Sequence, residues 1–260
     1  MTDNVRIQEN VLFENKLTNH VIVFVSNKSY FTKFIETCTQ LINTGKYVGD
    51  ICLIVTDDCQ DVYDHPFITK NNIIVKHFPD IDFPEEFKMI TQTLNRPYET
   101  YTKSNAQYHK MHVFNRFFKK WDYVFYLDCG MKIHSNINSV LKLFRKNILL
   151  GHSDAYPTYE WKLSGQFSHI EPYFTHLTKR YNLNIDYFQS GILMFHTNLI
   201  NDNTFDELYK LAIEYPISRT NEQGIMNIYF NCIHGVWKQI PIGYYDYTNR
   251  NGIVNMITKS

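Results

Sequence analysis

A chain of 260 residues can bury one large hydrophobic core, and no long stretch rich in proline, glycine or serine divides it. We therefore expect a single domain over residues 1–260. Basic and acidic residues number 26 each, so the charge gives no reason to expect nucleic acid as a partner. No stretch reaches the roughly 18 apolar residues of a membrane span. The five cysteines lack paired metal spacing, and we expect a cytoplasmic protein with reduced thiols.

The aromatic share is high, with 19 tyrosines and 19 phenylalanines. Aromatic side chains suit a surface that stacks against sugar or base rings. However, abundant phenylalanine, tyrosine, asparagine, isoleucine and lysine are also typical of an AT-rich genome, such as that of a large DNA virus or an AT-rich microbe. The position of individual aromatic residues is therefore more informative than their number.

The first part of the chain alternates predicted strands and helices. HVIVFVSN is a β-branched apolar strand, and the segment after it carries Phe34, Cys38 and Leu41 at helical spacing. DICLIVTDD and NNIIVKHF repeat the strand pattern, and PEEFKMITQTL predicts a short helix within the polar stretch 80–108. This alternation predicts an α/β fold with a parallel sheet.

The middle of the chain contains an aspartate at the end of an apolar strand. NAQYHKMHVFNRFFKKW, residues 105–121, predicts a helix that begins near Lys110 and leads into the strand DYVFYLDCG. Such strand ends form the ligand-binding edge of an open α/β sheet. A carboxylate there is costly without a partner, so Asp128 either caps the following turn or binds a ligand.

Five further segments complete the predicted order of strands and helices. NSVLKLFRKNILLGHSD predicts a helix and a strand that ends near Asp154, and DYFQSGILMFHTN predicts a strand that begins near Ser190. DNTFDELYKLAIEYP is an amphipathic helix that ends before Pro216. NEQGIMNIYFNC predicts a helix capped by Asn221, and VWKQIP predicts a late strand.

These segments, in this order, resemble the GT-A nucleotide-sugar glycosyltransferases, specifically the glycogenin-like group called glycosyltransferase family 8. VSNKSY presents Ser26, Asn27 and Tyr30 at the spacing of the family's Thr-x-Asn-x-x-Tyr element, which lies over the nucleotide base. The resemblance implies a single GT-A domain with a Rossmann-like, mostly parallel sheet flanked by helices. It also implies that Tyr30 stacks on uracil, with a UDP-sugar favoured over a GDP-sugar.

Three more motifs carry the resemblance. The segment from Lys110 to Asp128 matches a family element in which a Lys-Leu-His type helix start is followed by a strand that ends in Asp-x-Asp. DYFQSG, with Asp186, matches the family's Asp-x-Phe-Asn-Ser-Gly, and EQGIMN, with Glu222 and Gln223, matches its Asp-Gln-Gly-x-x-Asn. The resemblance assigns these five residues to donor binding or catalysis.

The sequence departs from the family where the family binds its metal. Gly130 replaces the second aspartate, and the C-terminal YYDYTNRNGIVNMITKS has no histidine. Asp128 with diphosphate oxygens could still hold Mn²⁺ or Mg²⁺. Without metal, Lys110, Arg96 and Lys259 would neutralise the phosphates, Lys259 standing in for the family's late phosphate-binding lysine. The sequence favours weak metal dependence over none.

The resemblance further implies that transfer retains the anomeric configuration of the sugar, with Asp128, Gln189 and Glu222 as catalytic residues. Gln189 would lie nearest the anomeric centre. Because an amide cannot form the covalent ester that a carboxylate forms, we expect front-side displacement with the leaving phosphate as base. Asp186 and Glu222 would orient sugar hydroxyls, and Gln223 would hydrogen-bond the donor sugar.

The sequence leaves several alternatives open. Asp154 either contacts the acceptor, a glycan or a protein, or only satisfies a turn. A nucleotidyltransferase is less favoured because VFVSNKSYF has no glycine-rich phosphate loop. A catalytically silent sugar- or nucleotide-binding protein is the other alternative, and a homodimer is compatible with the sequence. His109 and His112 lack a nearby third ligand, so no metal site is assigned to them.

Overall fold

The computed structural model describes residues 19–94, 106–241, 243–246 and 255–259. The described strands are β1 (His20–Ser26), β2 (Asp50–Val55), β3 (Ile74–His77), β4 (Tyr123–Leu127), β5 (Met131–Ile133), β6 (Leu149–His152), β7 (Gln189–His196), β8 (Trp237–Gln239), β9 (Tyr245–Asp246) and β10 (Ile257–Lys259). The described α-helices are α1 (Phe31–Asn43), α2 (Pro66–Lys70), α3 (Glu85–Thr93), α4 (Asn138–Leu141), α5 (Tyr173–Arg180), α6 (Thr204–Glu214) and α7 (Glu222–Asn227). None of these helices is long and apolar enough to cross a lipid bilayer.

Seven strands form the larger sheet in the order β3-β2-β1-β4-β7-β6-β8. Neighbouring strands pair in parallel except on the two sides of β7, which is antiparallel to both β4 and β6. A second, three-stranded sheet has the order β5-β10-β9. The predicted α/β fold with a mostly parallel sheet is therefore confirmed.

Hydrophobic cores cover both faces of the larger sheet. In β1, Val21 and Val23 belong to one core and Ile22 and Phe24 to the other, and all four are fully buried. A strand that is buried on both faces needs a continuous apolar sequence, and HVIVFVS has one. This two-sided burial leaves the strand ends as the place where polar side chains meet solvent.

The direction of β7 decides which residues share an edge of the sheet. Leu127 of β4 lies opposite Ile192 of β7 in an antiparallel register. Because β7 runs against its neighbours, its first residue, Gln189, lies at the edge where β1, β4 and β6 end. Segments that are far apart in the sequence therefore meet there.

Two sequence-based predictions about helices are wrong. The described residues of the predicted helix 105–121 do not form one α-helix, because two 3₁₀ segments, His109–Phe114 and Arg116–Lys120, are separated by an extended Asn115. The Asn115 side chain accepts from Phe117 N at 3.0 Å, which competes with helical hydrogen bonding. Most of the first 3₁₀ segment is buried, so its apolar residues do not form the single stripe of an amphipathic helix.

The residue before α7 also differs from the prediction. Asn221 occupies the N-cap position, but its side chain makes no capping hydrogen bond and instead donates to Gln107 Oε1 at 2.7 Å. Its φ of +52° is uncommon for a residue other than glycine. The helix itself is confirmed, and it continues as a π-helical turn over Ile228–Ile233.

Candidate functional site

The carboxyl ends of β1, β4 and β6 lie at one edge of the larger sheet with the first residue of β7. Asp128 directly follows β4, and its backbone N–H donates to Gly191 O at 2.9 Å. A Cβ added at Gly191 would lie 3.2 Å from Asp128 Oδ2, so the absence of a side chain permits this close approach. Asp128 therefore lies at the edge where open α/β sheets bind ligands.

An ion-pair cluster forms around Lys110. The Lys110 ammonium lies 2.9 Å from Asp128 Oδ1 and 3.0 Å from Glu222 Oε1. Tyr126 OH donates to the same Asp128 oxygen at 2.5 Å, and Ser190 Oγ donates to Glu222 Oε1 at 2.6 Å. The side chain of Glu222 is 1% exposed, whereas those of Lys110 and Asp128 are 14% and 20% exposed. The cluster therefore has a buried end at Glu222 and a more open end at Asp128.

Burial and neighbouring charges act in opposite directions on this cluster. Burial lowers the pKa of Lys110, but the carboxylates of Asp128 and Glu222 outweigh burial and hold that pKa above its usual range. Burial raises the pKa of Glu222, and the Lys110 ammonium and the Ser190 hydroxyl offset only part of this effect. Glu222 Oε2 has no hydrogen-bond partner among the described residues. A ligand hydroxyl or water that donated to it would remove the cost of that buried acceptor.

Gln189 is held in place by the loop that follows β6. Its Nε2 donates to Asp154 Oδ2 at 2.9 Å, and Tyr187 OH donates to Asp154 Oδ1 at 2.5 Å. Burial, followed by the hydrogen bond to Asp154, raises the pKa of Tyr187, so its phenol remains a donor. Gln189 Oε1 is buried and has no hydrogen-bond partner in the described part of the chain. Asp154 thus orients the amide, and its contact with an acceptor stays a prediction.

The two other predicted residues of this region have different partners. Gln223 lies beside the cluster, where its Oε1 accepts from Ser190 N at 3.1 Å and its Nε2 donates to Gln166 Oε1 at 2.7 Å. Asp186 pairs instead with Lys162, whose ammonium lies 2.7 Å from Asp186 Oδ1. Gln223 is therefore part of the network around Ser190, whereas Asp186 belongs to a separate, half-exposed ion pair.

The residues after β1 form a 3₁₀ turn that presents an aromatic ring. The Ser26 hydroxyl donates to Asn27 O at 2.8 Å, and Asn27 Oδ1 accepts from Tyr30 N at 3.1 Å. Tyr30 is 47% exposed, with the Lys33 ammonium 4.8 Å from its ring centroid. Asn27 therefore caps the turn, while the Tyr30 ring is accessible beside the edge of the sheet.

The two other predicted cationic residues are Arg96 and Lys259. Arg96 lies outside the described residues. Lys259, which is exposed, is the last residue of β10 and lies opposite Met131 of β5, shortly after Asp128 in the chain. In the three-stranded sheet, Lys259 therefore lies on β10, and β10 is the neighbour of β5, the strand that follows the turn at Asp128.

The described residues fit a divalent metal poorly. No group of three or more His, Cys, Asp or Glu side chains in the described part of the chain could hold a metal ion. Gly130 has a φ of +92°, a conformation that favours glycine over aspartate. Asp128 Oδ1 already accepts from Tyr126 and Lys110, so a cation there would face an ammonium. Two unit charges 4 Å apart interact by about 4 kcal/mol near a protein surface, and a divalent ion doubles this repulsion.

Three side chains of this region were not predicted from the sequence. Tyr126 precedes Asp128 by two residues, and the alternation of side chains along an extended chain could have indicated that they lie on the same side. Tyr187 and Lys162 carry no such local signal, because their partners Asp154 and Asp186 come from other segments.

No family model and no curated protein matches the sequence. Among solved structures, a complex of galactosyltransferase LgtC with donor and acceptor sugar analogues is 11% identical, with a TM-score of 0.61, and the match covers 92% of this chain and 86% of that chain. The apo structure of the bifunctional glycosyltransferase WbbM is 14% identical, with a TM-score of 0.58, and the match covers 95% of this chain and 46% of that chain. The chain thus spans about half the length of WbbM.

The glycosyltransferase GlyE of Streptococcus pneumoniae TIGR4 is also similar. It is 13% identical with a TM-score of 0.53, and the match covers 86% of this chain and 45% of that chain. At these identities the likeness concerns the fold alone. The chain has the fold of the GT-A glycosyltransferases, as the sequence predicted.

Proposed function

We propose that the chain is a glycosyltransferase that resembles family 8 and moves a sugar from a nucleoside-diphosphate sugar to a glycan or protein acceptor. A UDP-sugar is favoured over a GDP-sugar. The observation that carries the proposal is the Lys110, Asp128 and Glu222 cluster beside Gln189, at the ligand-binding edge of a sheet with this fold. The likeness in fold to a solved complex of LgtC with donor and acceptor sugar analogues supports transfer between a donor and an acceptor sugar.

The donor would lie across the edge from β1 to β7. The exposed ring of Tyr30 suits stacking on the uracil base. Asp128 would contact the ribose or the diphosphate, with a divalent metal if one is present, and Lys110 and Lys259 would offset phosphate charge together with Arg96. The unpartnered Glu222 Oε2 suits a hydrogen bond from a sugar hydroxyl.

Transfer would proceed with retention by front-side displacement. The bond between the anomeric carbon and the diphosphate oxygen breaks, and a bond from the acceptor oxygen forms on the same face. The proton of the acceptor hydroxyl passes to the departing diphosphate oxygen. Gln189 would orient the reacting sugar through its unpartnered Oε1, because Asp154 already holds its Nε2.

A catalytically silent sugar- or nucleotide-binding protein is the second candidate. Gly130 in place of a second carboxylate favours it, since the site then holds a metal poorly and stabilises a leaving diphosphate less. Such a protein would bind the nucleotide without releasing sugar. Donor hydrolysis therefore separates the two candidates.

The test combines binding and turnover on the same samples. UDP, GDP, UDP-glucose, UDP-galactose and UDP-N-acetylglucosamine are titrated by calorimetry, and sugar release is assayed in parallel. We expect UDP binding with slow hydrolysis of one UDP-sugar, and the anomeric configuration of a transfer product, read by NMR, tests retention. Absence of any nucleotide binding would contradict both candidates, and binding without hydrolysis or transfer would favour the silent protein.

Two variants sharpen this test. Asp128→Asn should lower UDP affinity and transfer at least about tenfold, because an amide loses the charged hydrogen bonds of the carboxylate. Gln189→Leu should lower transfer by a similar factor with little change in UDP affinity. Asp82→Asn is the matched control, since Asp82 is 94% exposed and pairs only at the surface with Lys88. Full transfer and donor affinity in Asp128→Asn would refute the assignment of Asp128.

A further inference from the structure

A cavity of about 500 Å³ lies beside Asp186, outside the ion-pair cluster of Lys110. Its wall comes from the end of α5 and the loop after it, the π-helical turn after α7, and the start of β8. The residues that matter for its chemistry are Asp186, Tyr181, Asn231, Cys232, Trp237 and Lys238. All of them belong to the described part of the chain.

The cavity lies close to the proposed reaction centre. Asp186 precedes Gln189 by three residues, and an extended chain of that length spans at most about 10 Å. The Asp186 segment is held from both sides, because Asn231 Nδ2 donates to its carbonyl oxygen at 2.7 Å and Lys162 pairs with its carboxylate at 2.7 Å. Tyr187 then connects this wall to Asp154, which also binds Gln189.

The charges of the wall are largely compensated. Asp186 is paired with Lys162, and Arg180, which also lines the cavity, lies 2.7 Å from Glu214. Lys238 is exposed on the rim. A lining with little uncompensated charge does not favour the diphosphate of a nucleotide, which needs several cationic partners.

The cavity combines aromatic rings with hydrogen-bonding groups. Tyr181 and Trp237 are both half-buried in its wall. The indole N–H of Trp237 donates to Gly151 O at 3.2 Å, which fixes the orientation of the ring. Asn231 and Lys238 supply polar groups nearby. An aromatic surface that is held in this way, together with a few polar groups, suits the faces and hydroxyls of a pyranose ring.

We propose that this cavity binds a sugar unit of an acceptor glycan. The inference rests on the proposed glycosyltransferase function and names a glycan, rather than a protein, as the acceptor class. A glycan that occupies the cavity would extend past Asp186 and Tyr187 toward Gln189, where its terminal hydroxyl would meet the donor sugar. The cavity would thus select the acceptor without contacting the nucleotide.

The chain offers a matched pair of variants for the test. Cys232 lines the cavity and is half-buried, whereas the next residue, Ile233, is 47% exposed and is absent from the lining. Cys232→Phe should place a ring in the cavity and narrow it, and Ile233→Phe adds the same ring in the same turn outside it. Lys238→Ala, at an exposed position, provides a second variant that leaves the wall in place.

The wild-type chain is applied to a glycan array without nucleotide, and the glycan that binds best is then titrated against all variants by saturation-transfer NMR. We expect Cys232→Phe to lower the affinity for that glycan at least about tenfold and Lys238→Ala to lower it several-fold. Ile233→Phe should leave the glycan affinity unchanged. UDP affinity should stay the same in all three variants. If Cys232→Phe does not fold, the glycan affinity of Lys238→Ala tests the proposal, and an unchanged affinity would overturn it.

The outcomes separate this inference from the proposed function. Nucleotide-sugar hydrolysis without binding of any arrayed glycan would overturn the glycan cavity and leave the transferase proposal standing. Equal glycan affinity in Cys232→Phe and Ile233→Phe would also overturn it. Loss of both nucleotide binding and hydrolysis in the wild-type chain would refute the proposed function, and the acceptor role of the cavity with it.

Discussion

The Lys110 ammonium lies 3.0 Å from Glu222 Oε1, and this contact joins the 3₁₀ segment before β4 to the first residue of α7. The carboxylate is almost completely buried, and its second oxygen has no partner among the described residues. A buried carboxylate of this kind depends on its cation, since removal of one partner leaves an uncompensated charge.

Lys110→Met should therefore destabilise the fold. We expect a loss of about 3–5 kcal/mol in the free energy of unfolding at pH 8, measured by urea denaturation. Burial already raises the pKa of Glu222, and without the ammonium the folded state favours the protonated carboxyl still more. The loss of unfolding free energy should become smaller as the pH falls, because Glu222 of the folded variant then takes up a proton.

The double variant Lys110→Met/Glu222→Gln provides the control. It removes both charges of the contact, so it should recover part of the lost stability. If Lys110→Met is as stable as the wild type at pH 8, the ion pair does not stabilise the fold.

His112 should make the fold sensitive to acid. Its ring stacks between Phe78 and Phe205, with both centroid distances at 4.3 Å, and both ring nitrogens lack hydrogen-bond partners among the described residues. Burial lowers the pKa of His112 to about 2, whereas an unfolded histidine has a pKa of about 6.5. The unfolded chain therefore binds a proton first, and stability is lost as the pH falls below about 6.5.

The variant His112→Phe tests this mechanism, because phenylalanine keeps the stacked ring and cannot be protonated. Between pH 8 and pH 5 we expect the wild type to lose about 2 kcal/mol more unfolding free energy than the variant, at about 1.4 kcal/mol per pH unit below 6.5. Urea denaturation at the two pH values gives the difference. Identical losses in both proteins would contradict a neutral, buried His112.

Tyr30 should contribute to nucleotide affinity through its exposed ring. Stacking of an aromatic side chain on a base is worth about 1–3 kcal/mol, so Tyr30→Ala should weaken UDP binding about 5- to 150-fold. Tyr30→Phe keeps the ring and should bind UDP about as well as the wild type. Calorimetry measures both constants, and equal affinities for all three proteins would remove Tyr30 from the donor site.

The metal requirement should be weak. Asp128 is a single carboxylate beside the Lys110 ammonium, and Gly130 lacks a side chain that could coordinate a cation. We expect the UDP affinity in EDTA to lie within about fivefold of that in Mn²⁺. The phosphates would supply most of the ligands of any bound ion and the protein few, so the ion would add little to the affinity. The comparison is made by calorimetry, with Mn²⁺ paramagnetic resonance of the nucleotide-free protein as a direct control. A gain of much more than tenfold with Mn²⁺ would contradict the expected weak metal dependence.

Local patterns in the sequence determined most of the sheet. The continuous apolar runs of β1 and β4 predict strands buried on two faces, since only such strands tolerate apolar residues on both sides. The same patterns place Asp128 after a strand and the motif with Gln189 at the head of another. The 3.6-residue periodicity wrongly predicted one helix over residues 105–121. The apolar residues of the first 3₁₀ segment are buried on several sides and do not form the single apolar stripe of an amphipathic helix.

Only the tertiary structure decided which of these polar residues meet. The antiparallel direction of β7 brings Gln189 to the edge where β4 and β6 end, and no local pattern encodes that direction. The same arrangement places Lys110 between Asp128 and Glu222, and Asp154 against Gln189. Periodicity reports which face of a segment is buried, whereas contacts between distant segments follow from strand order and strand direction, which the packing of the whole chain determines.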